Sequence, residues 1–293
     1  MNLNCQILRQ NDRNISCKEV YENKCIFKKQ SLSPGSNPSE EYFFWEYFYK
    51  LETDMIPFCV NADANKKAIM YEWLEGYEQI SGKYTPVALK RILDYLKVNS
   101  EKNTFYRLKN DCKLVSLSER RLQQQLEYFN DICERATDFY SDFISRDSFK
   151  KAFNKALYDF SCKDTLCHGD LGKSNILIKG NDIKIIDFEY SMFSSRELDY
   201  GRLASSIFLS YQNKEIDKDL FFEMISLIAN APIRLDKLAG LTGLQLTMRI
   251  VHTYKSKENM PGCVHNQVKT ALNLLSFKDE NCTNQEFLNL FIL

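Results

Sequence analysis

No apolar run in this chain of 293 residues approaches the roughly 20 residues that a membrane-spanning helix requires. The opening stretch, MNLNCQILRQNDRN, carries a charge or an amide every few positions and has no apolar core of signal-peptide length. An excess of either sign of charge is also missing. Lys and Arg total 39 and so do Asp and Glu, so nothing draws the whole chain to nucleic acid or to an anionic membrane. The 10 cysteines are scattered and none forms a Cys-x-x-Cys pair, which argues against a zinc site and against a small disulfide scaffold. Repeats, low-complexity tracts and Pro/Gly linkers are absent as well. These absences leave a soluble cytoplasmic protein with reduced, mostly buried thiols and no nucleic-acid or membrane partner as the expectation.

What is present is ordinary globular usage, 44% apolar and 27% charged. The first third reads as short strands with one helix. CQILRQ, ISCKEVYE and KCIFKKQ alternate or are rich in β-branched and aromatic residues, with turn residues between them. SEEYFFWEYFYKL predicts a helix capped by Ser39, with Phe44, Trp45, Phe48 and Leu51 as its buried stripe. MIPFCV and KKAIMYEWLEGYE follow, the latter a strand running into Gly76. From residue 85 the period turns helical through PVALKRILDYLK, a long helix with Ser118 as its cap, and RDSFKKAFNKALYDF. Two short strands, NILIKG and IKIIDF, then interrupt the helices, which resume from about residue 196 to the end. The boundary is expected near residues 76–84, giving residues 1–77 and 78–293 as the two parts.

The interruption, CHGDLGKSNILIKGNDIKIIDFEYS, holds the chemistry. Its Gly-Lys-Ser is not a phosphate-binding loop: that motif needs a Gly at the position of Cys167 and a helix after Ser174, and here a strand follows. The acids are more informative. An isolated Asp or Asn in a loop is usually a turn or capping residue. Asp170 with Asn175 five residues on, and Asp187 closing the later apolar strand, suit phosphoryl transfer. That chemistry needs a base beside the acceptor hydroxyl and oxygen ligands that hold Mg²⁺ against phosphates. Asp170 fits the base, and Asn175 and Asp187 fit the ligands.

These residues carry a resemblance. His168-Gly169-Asp170, Asn175 and Ile186-Asp187-Phe188-Glu189 resemble the kinase catalytic-loop and Asp-Phe-Gly patterns. They are still more similar to the aminoglycoside phosphotransferase and choline kinase superfamily, whose loop has Gly after the His and whose metal-binding Asp is often followed by Phe-Glu-Tyr. The resemblance implies a two-lobed α+β fold, with a small antiparallel β-rich lobe, a larger helical lobe, and the nucleotide in the cleft between them. It also implies Asp199 as the acid that braces the catalytic loop, with His168 supporting that loop. Lys28 becomes the phosphate-positioning lysine, with Lys29 its adjacent competitor, and Glu41 its acid partner, with Glu46 second. The backbone of Glu72, Trp73 and Leu74 would meet the nucleotide base, and Glu189 is a possible acceptor contact.

One departure stands out: RQNDRNIS, between the first two strands, lacks glycine. The expectation is transfer of the γ-phosphoryl group of ATP or GTP, with Mg²⁺, to a small-molecule hydroxyl on an amino alcohol, a sugar or an aminoglycoside-like compound. A catalytically idle scaffold or coat protein is the alternative. A protein kinase is disfavoured, because Asp199 follows Asp187 within about a dozen residues and leaves no room for a peptide-docking segment.

Overall fold

The computed structural model describes residues 6–10, 14–33, 37–51, 54–80, 84–254 and 264–292. They divide into two units, one running through Ile80 and also taking Ser174–Ser191, the other comprising the remainder. This is the two-lobed protein-kinase-like α+β fold expected from the sequence, a small antiparallel β-rich unit and a larger mainly helical one.

In the first unit, β1 (Gln6–Gln10), β2 (Asn14–Tyr21), β3 (Lys24–Ser31), β4 (Cys59–Asp63) and β5 (Ala68–Glu72) form an antiparallel sheet in the order β1-β2-β3-β5-β4. Helix α1 (Glu41–Tyr49) buries Phe44, Trp45 and Phe48 of the stripe that its spacing predicts, whereas Leu51 lies past its end and is half-buried, and the Trp45 indole donates to the Pro57 carbonyl at 2.8 Å. Ser39 is not the cap of α1. It lies in a short 3-10 turn, Pro38–Glu40, and its hydroxyl donates to Asn37 Oδ1, because Pro38 starts the turning chain before α1 begins. A second sheet pairs β6 (Glu78–Gln79) with the hairpin of β8 (Ile176–Lys179) and β9 (Asp182–Ile185), and this pairing brings Ser174–Ser191 into the first unit.

The second unit starts with α2 (Pro86–Lys102), capped by Thr85, and the short α3 (Phe105–Leu108). The long α4 (Cys112–Tyr140) follows, then α5 (Arg146–Ser161). Asp111, not Ser118, caps α4 by accepting from the Leu114 amide at 2.9 Å. Ser118 is about two turns inside, buried, and accepts from the Phe193 amide at 2.6 Å, so it joins two elements where a cap had been expected. Strands β7 (Thr165–Cys167) and β10 (Met192–Ser194) pair beside it. Helices α6 (Glu197–Gln212), α7 (Lys218–Ala229), α8 (Leu235–Thr253), α9 (His265–Ser276) and α10 (Asn284–Asn289) complete the unit.

Helix α8 is buried along nearly its whole length, and it accommodates its neighbours through small residues. A Cβ added to Gly243 would lie 2.8 Å from the Leu275 amide nitrogen of α9, so only glycine permits this approach. Among the described residues no helix is long and apolar enough to cross a membrane. The described cysteines are all free, but half are not buried: Cys17, Cys59, Cys133 and Cys167 are, whereas Cys25 and Cys112 are exposed.

Candidate active site

Strand alternation decides which lysine faces the chemistry. Residues directly opposite one another in a sheet share a face. Lys29 lies opposite Ile69 and Phe27 opposite Tyr71, whereas Lys28 lies opposite Cys17 and Met70 on the other face. Lys29 is therefore the buried lysine. Its Nζ donates to Glu41 Oε1 at 2.6 Å, to Asp187 Oδ1 at 2.9 Å and to Glu189 Oε2 at 2.6 Å. Lys28, the residue favoured from sequence, pairs instead with Glu19 at 3.2 Å. Glu41, the acid favoured from sequence, is among the carboxylates on Lys29, while Glu46 pairs with Lys50 on the exposed side of α1.

Three carboxylates around one ammonium leave a surplus of negative charge, and burial decides where it is relieved. Burial lowers the pKa of Lys29, but Glu41, Asp187 and Glu189 outweigh it and hold the ammonium's pKa well above its usual value. Glu41 is fully buried, and that burial lifts its carboxyl to about 7; Lys29 pulls it down, while Asp187 and Glu189 push it further up. Among the described residues Glu41 Oε2 and the Tyr71 hydroxyl are buried with no hydrogen-bond partner. Burial, reinforced by Glu41, pushes the Tyr71 phenol well above its ordinary range.

Asp187 takes a left-handed backbone, φ 70 and ψ 73, at the exit of β9. An Asp tolerates this region better than most residues, and such a conformation is found where a side chain must be aimed. Phe188 stacks on Phe48 with centroids 5.2 Å apart and anchors the turn to α1. Asn175 is buried, and its carbonyl accepts from the Ile186 amide at 3.0 Å, which ties it beside the residue that precedes Asp187. Glu189, expected as an acceptor contact, is placed on Lys29.

The nucleotide-base segment is partly committed to the sheet. The Glu72 amide donates to Phe58 O at 2.9 Å and the Trp73 amide to Cys25 O at 3.3 Å, while the Leu74 amide makes no backbone bond among the described residues.

In the second unit, the loop His168-Gly169-Asp170 is held from α6. Asp199 accepts from the amides of His168 at 2.8 Å and Gly169 at 2.9 Å. Burial raises the Asp199 carboxyl, against the pull of His168, the two amides and Arg202. Gly169 has φ +83, a conformation that costs a side-chain-bearing residue energy and that turns both its amide and its carbonyl toward α6. His168 is fully buried and its Nδ1 accepts from the Asp170 amide at 3.3 Å. Sequence reasoning missed Arg202, whose Nε donates to Gly169 O at 3.1 Å and whose Nη1 lies 3.4 Å from Asp170 Oδ1. Its spacing of three from Asp199 on a helix was the available signal.

The Gly-Lys-Ser stretch is no phosphate loop in the structure either. Lys173 Nζ is held by both oxygens of Glu215, at 2.7 and 2.9 Å, and β8 follows. In the glycine-free RQNDRNIS, residues 11–13 lie outside the described residues.

The profile of the Phosphotransferase enzyme family matches residues 103–220. Comparison with curated protein sequences finds no match. Among solved structures, the Plasmodium vivax ethanolamine kinase aligns with a TM-score of 0.54 at 16% identity, over 99% of this chain and 79% of that one. Choline kinase LicA from Streptococcus pneumoniae aligns with a TM-score of 0.52 at 18% identity, over 93% and 92% of the two chains. The streptomycin–ATP–APH(2")-IIa ternary complex gives 0.54 at 14% identity, over 87% and 89%. At these identities the likeness is one of fold, and together with the family match it agrees with the resemblance carried by residues 168–199.

Proposed function

We propose that this chain, with its protein-kinase-like fold and its resemblance to the aminoglycoside phosphotransferase and choline kinase superfamily, transfers the γ-phosphoryl group of ATP, or of GTP, to a hydroxyl of a small molecule. The observation that carries the reading is the buried Lys29 ammonium, held at 2.6–2.9 Å by Glu41, Asp187 and Glu189. A buried cation flanked by Asp187 and Glu189, each about a third exposed, is suited to exchanging partners with a polyphosphate and its counter-ion.

The donor set fits Mg²⁺. Glu41, Asp187 and Glu189 offer oxygen atoms within 4.8 Å of one another, and hard oxygen donors are what Mg²⁺ takes. Asn175 and Asp187 would hold the ion, which when bound neutralises charge on the phosphates. Lys29, kept in place by Glu41, contacts the α/β-phosphates, and the Leu74 amide meets the base. Asp170, oriented by its loop, accepts the proton of the attacking hydroxyl. An amino alcohol, a sugar or an aminoglycoside-like compound carries a hydroxyl of the required kind.

The test is thermal stability with Mg-ATP and Mg-GTP, combined with ADP release. A ligand at about 100 times its dissociation constant stabilises by about 2.7 kcal/mol. The shift should vanish in Asp187→Ala and persist in Asp170→Ala, while Asp170→Ala loses about 10²–10⁴ in turnover. Wild-type turnover in Asp170→Ala, or no shift with either nucleotide, would refute the mechanism.

A further inference from the structure

The first two turns of α6 hold three consecutive loop residues. Asp199 takes the amide protons of His168 and Gly169, and Arg202, three residues on and on the same helix face, takes the Gly169 carbonyl and pairs with Asp170. Arg202 is only 7% exposed although it is an arginine. A residue so rarely buried is kept inside by its partners. Its guanidinium is rigid and planar, so a donor fixed on Gly169 O through Nε determines where Nη1 stands beside the Asp170 carboxylate. Lysine, a flexible point charge, cannot make both contacts in register.

We propose that Arg202 is a positioning residue for phosphoryl transfer: it registers the Asp170 carboxylate against the catalytic-loop backbone. This rests on the reading of Asp170 as the acceptor's base. The 3.4 Å separation is longer than the roughly 2.7–2.9 Å of a charge-assisted hydrogen bond, so the guanidinium acts on the carboxylate as an ion pair. Asp170 is 25% exposed by side chain, so neighbouring packing does not fix its rotamer alone. A base must come within about 2.6–3.2 Å of the proton it takes. Misplacement by about 1 Å costs on the order of 10²-fold.

The experiment follows ADP release from Mg-ATP with water as acceptor, in the full chain, for Arg202→Ala, Arg202→Lys and Asp170→Asn. Arg202→Ala is expected to lose about 10²-fold in kcat. Its KM for ATP and its Mg-ATP thermal shift should stay unchanged, and added guanidinium ion should restore part of the rate. Arg202→Lys should fold as the wild type does and still lose rate, because the fork is gone. Asp170→Asn should be inactive and unresponsive to guanidinium.

Wild-type kcat in Arg202→Lys, or no guanidinium rescue of a folded Arg202→Ala, overturns the inference while an inactive Asp170→Asn leaves the base standing. Should Arg202→Ala fail to fold, the Arg202→Lys rate decides. A fully active Asp170→Asn removes the base reading, and the role of Arg202 with it.

Discussion

Glu41→Gln isolates the electrostatics of the Lys29 cluster, because it keeps the side chain's shape and removes its charge. The wild-type carboxyl is moved from 4.5 to about 7 by burial, with Asp187 and Glu189 reinforcing burial against Lys29. Each pKa unit is about 1.36 kcal/mol, so the displacement amounts to about 3 kcal/mol. Its sign follows from proton counting. Between these two values the folded chain holds a proton on Glu41 that the unfolded chain has released, so stability falls as pH rises. The contribution is complete below about pH 4.5, is lost as pH rises through about 7, and changes no further above that.

Gln cannot titrate, and Lys29 keeps Asp187 and Glu189 in the variant. The measurement is urea unfolding of both proteins from pH 5 to pH 8.5, with EDTA and without nucleotide. Glu41→Gln should gain on the wild type by up to about 3 kcal/mol across that range, a gap that opens with rising pH. Parallel pH–stability curves would refute it, since they would place the Glu41 proton at an ordinary carboxylate value.

Lys29→Met should abolish the Mg-ATP thermal shift, whereas Lys28→Met, which loses only the pairing with Glu19, should keep it; a shift lost in Lys28→Met instead would reverse the assignment. For Gly243→Ala two effects compete: alanine's helix propensity gains about 1 kcal/mol, and overpacking costs about 1–3 kcal/mol. The contacts are backbone atoms, Leu275 N at 2.8 Å and Ala271 O at 2.9 Å, which cannot swing away, so overpacking should win and the melting temperature should fall. A rise in melting temperature would show that α8 and α9 can separate without loss.

The order of elements was legible because each period is written in the chain. The aromatic stripe of α1 and the alternating hairpin from Ile176 to Ile185 stand where their spacing puts them. The helix caps were harder, since Ser39 and Ser118 have the chemistry of caps but are taken up by a turn and by a tertiary contact. The lysine was illegible for a definite reason. In KCIFKKQ two apolar residues, Ile26 and Phe27, precede two lysines, so both strand faces read alike. Pairing with Ile69 and Tyr71 breaks the tie in favour of Lys29, and strand pairing is a long-range fact. Arg202 had its helical spacing of three from Asp199 as a signal, but its partners lie some thirty residues earlier in the chain, so the spacing alone did not show what it holds.

The first unit is written in two instalments, the second of which, Ser174–Ser191, comes only after residues 81–173. A ribosome that has emitted the sheet and α1 has therefore delivered Lys29 and Glu41 but neither Asp187 nor Glu189. The three-carboxylate arrangement comes into being only when the late hairpin pairs with β6. Chains in which residues 1–80 are fused to an unrelated partner would inherit the strands and the lysine without the acids that complete it. The portable unit is the discontinuous one, and a designer who wishes to move it has to rejoin β6 to β8 across a new turn.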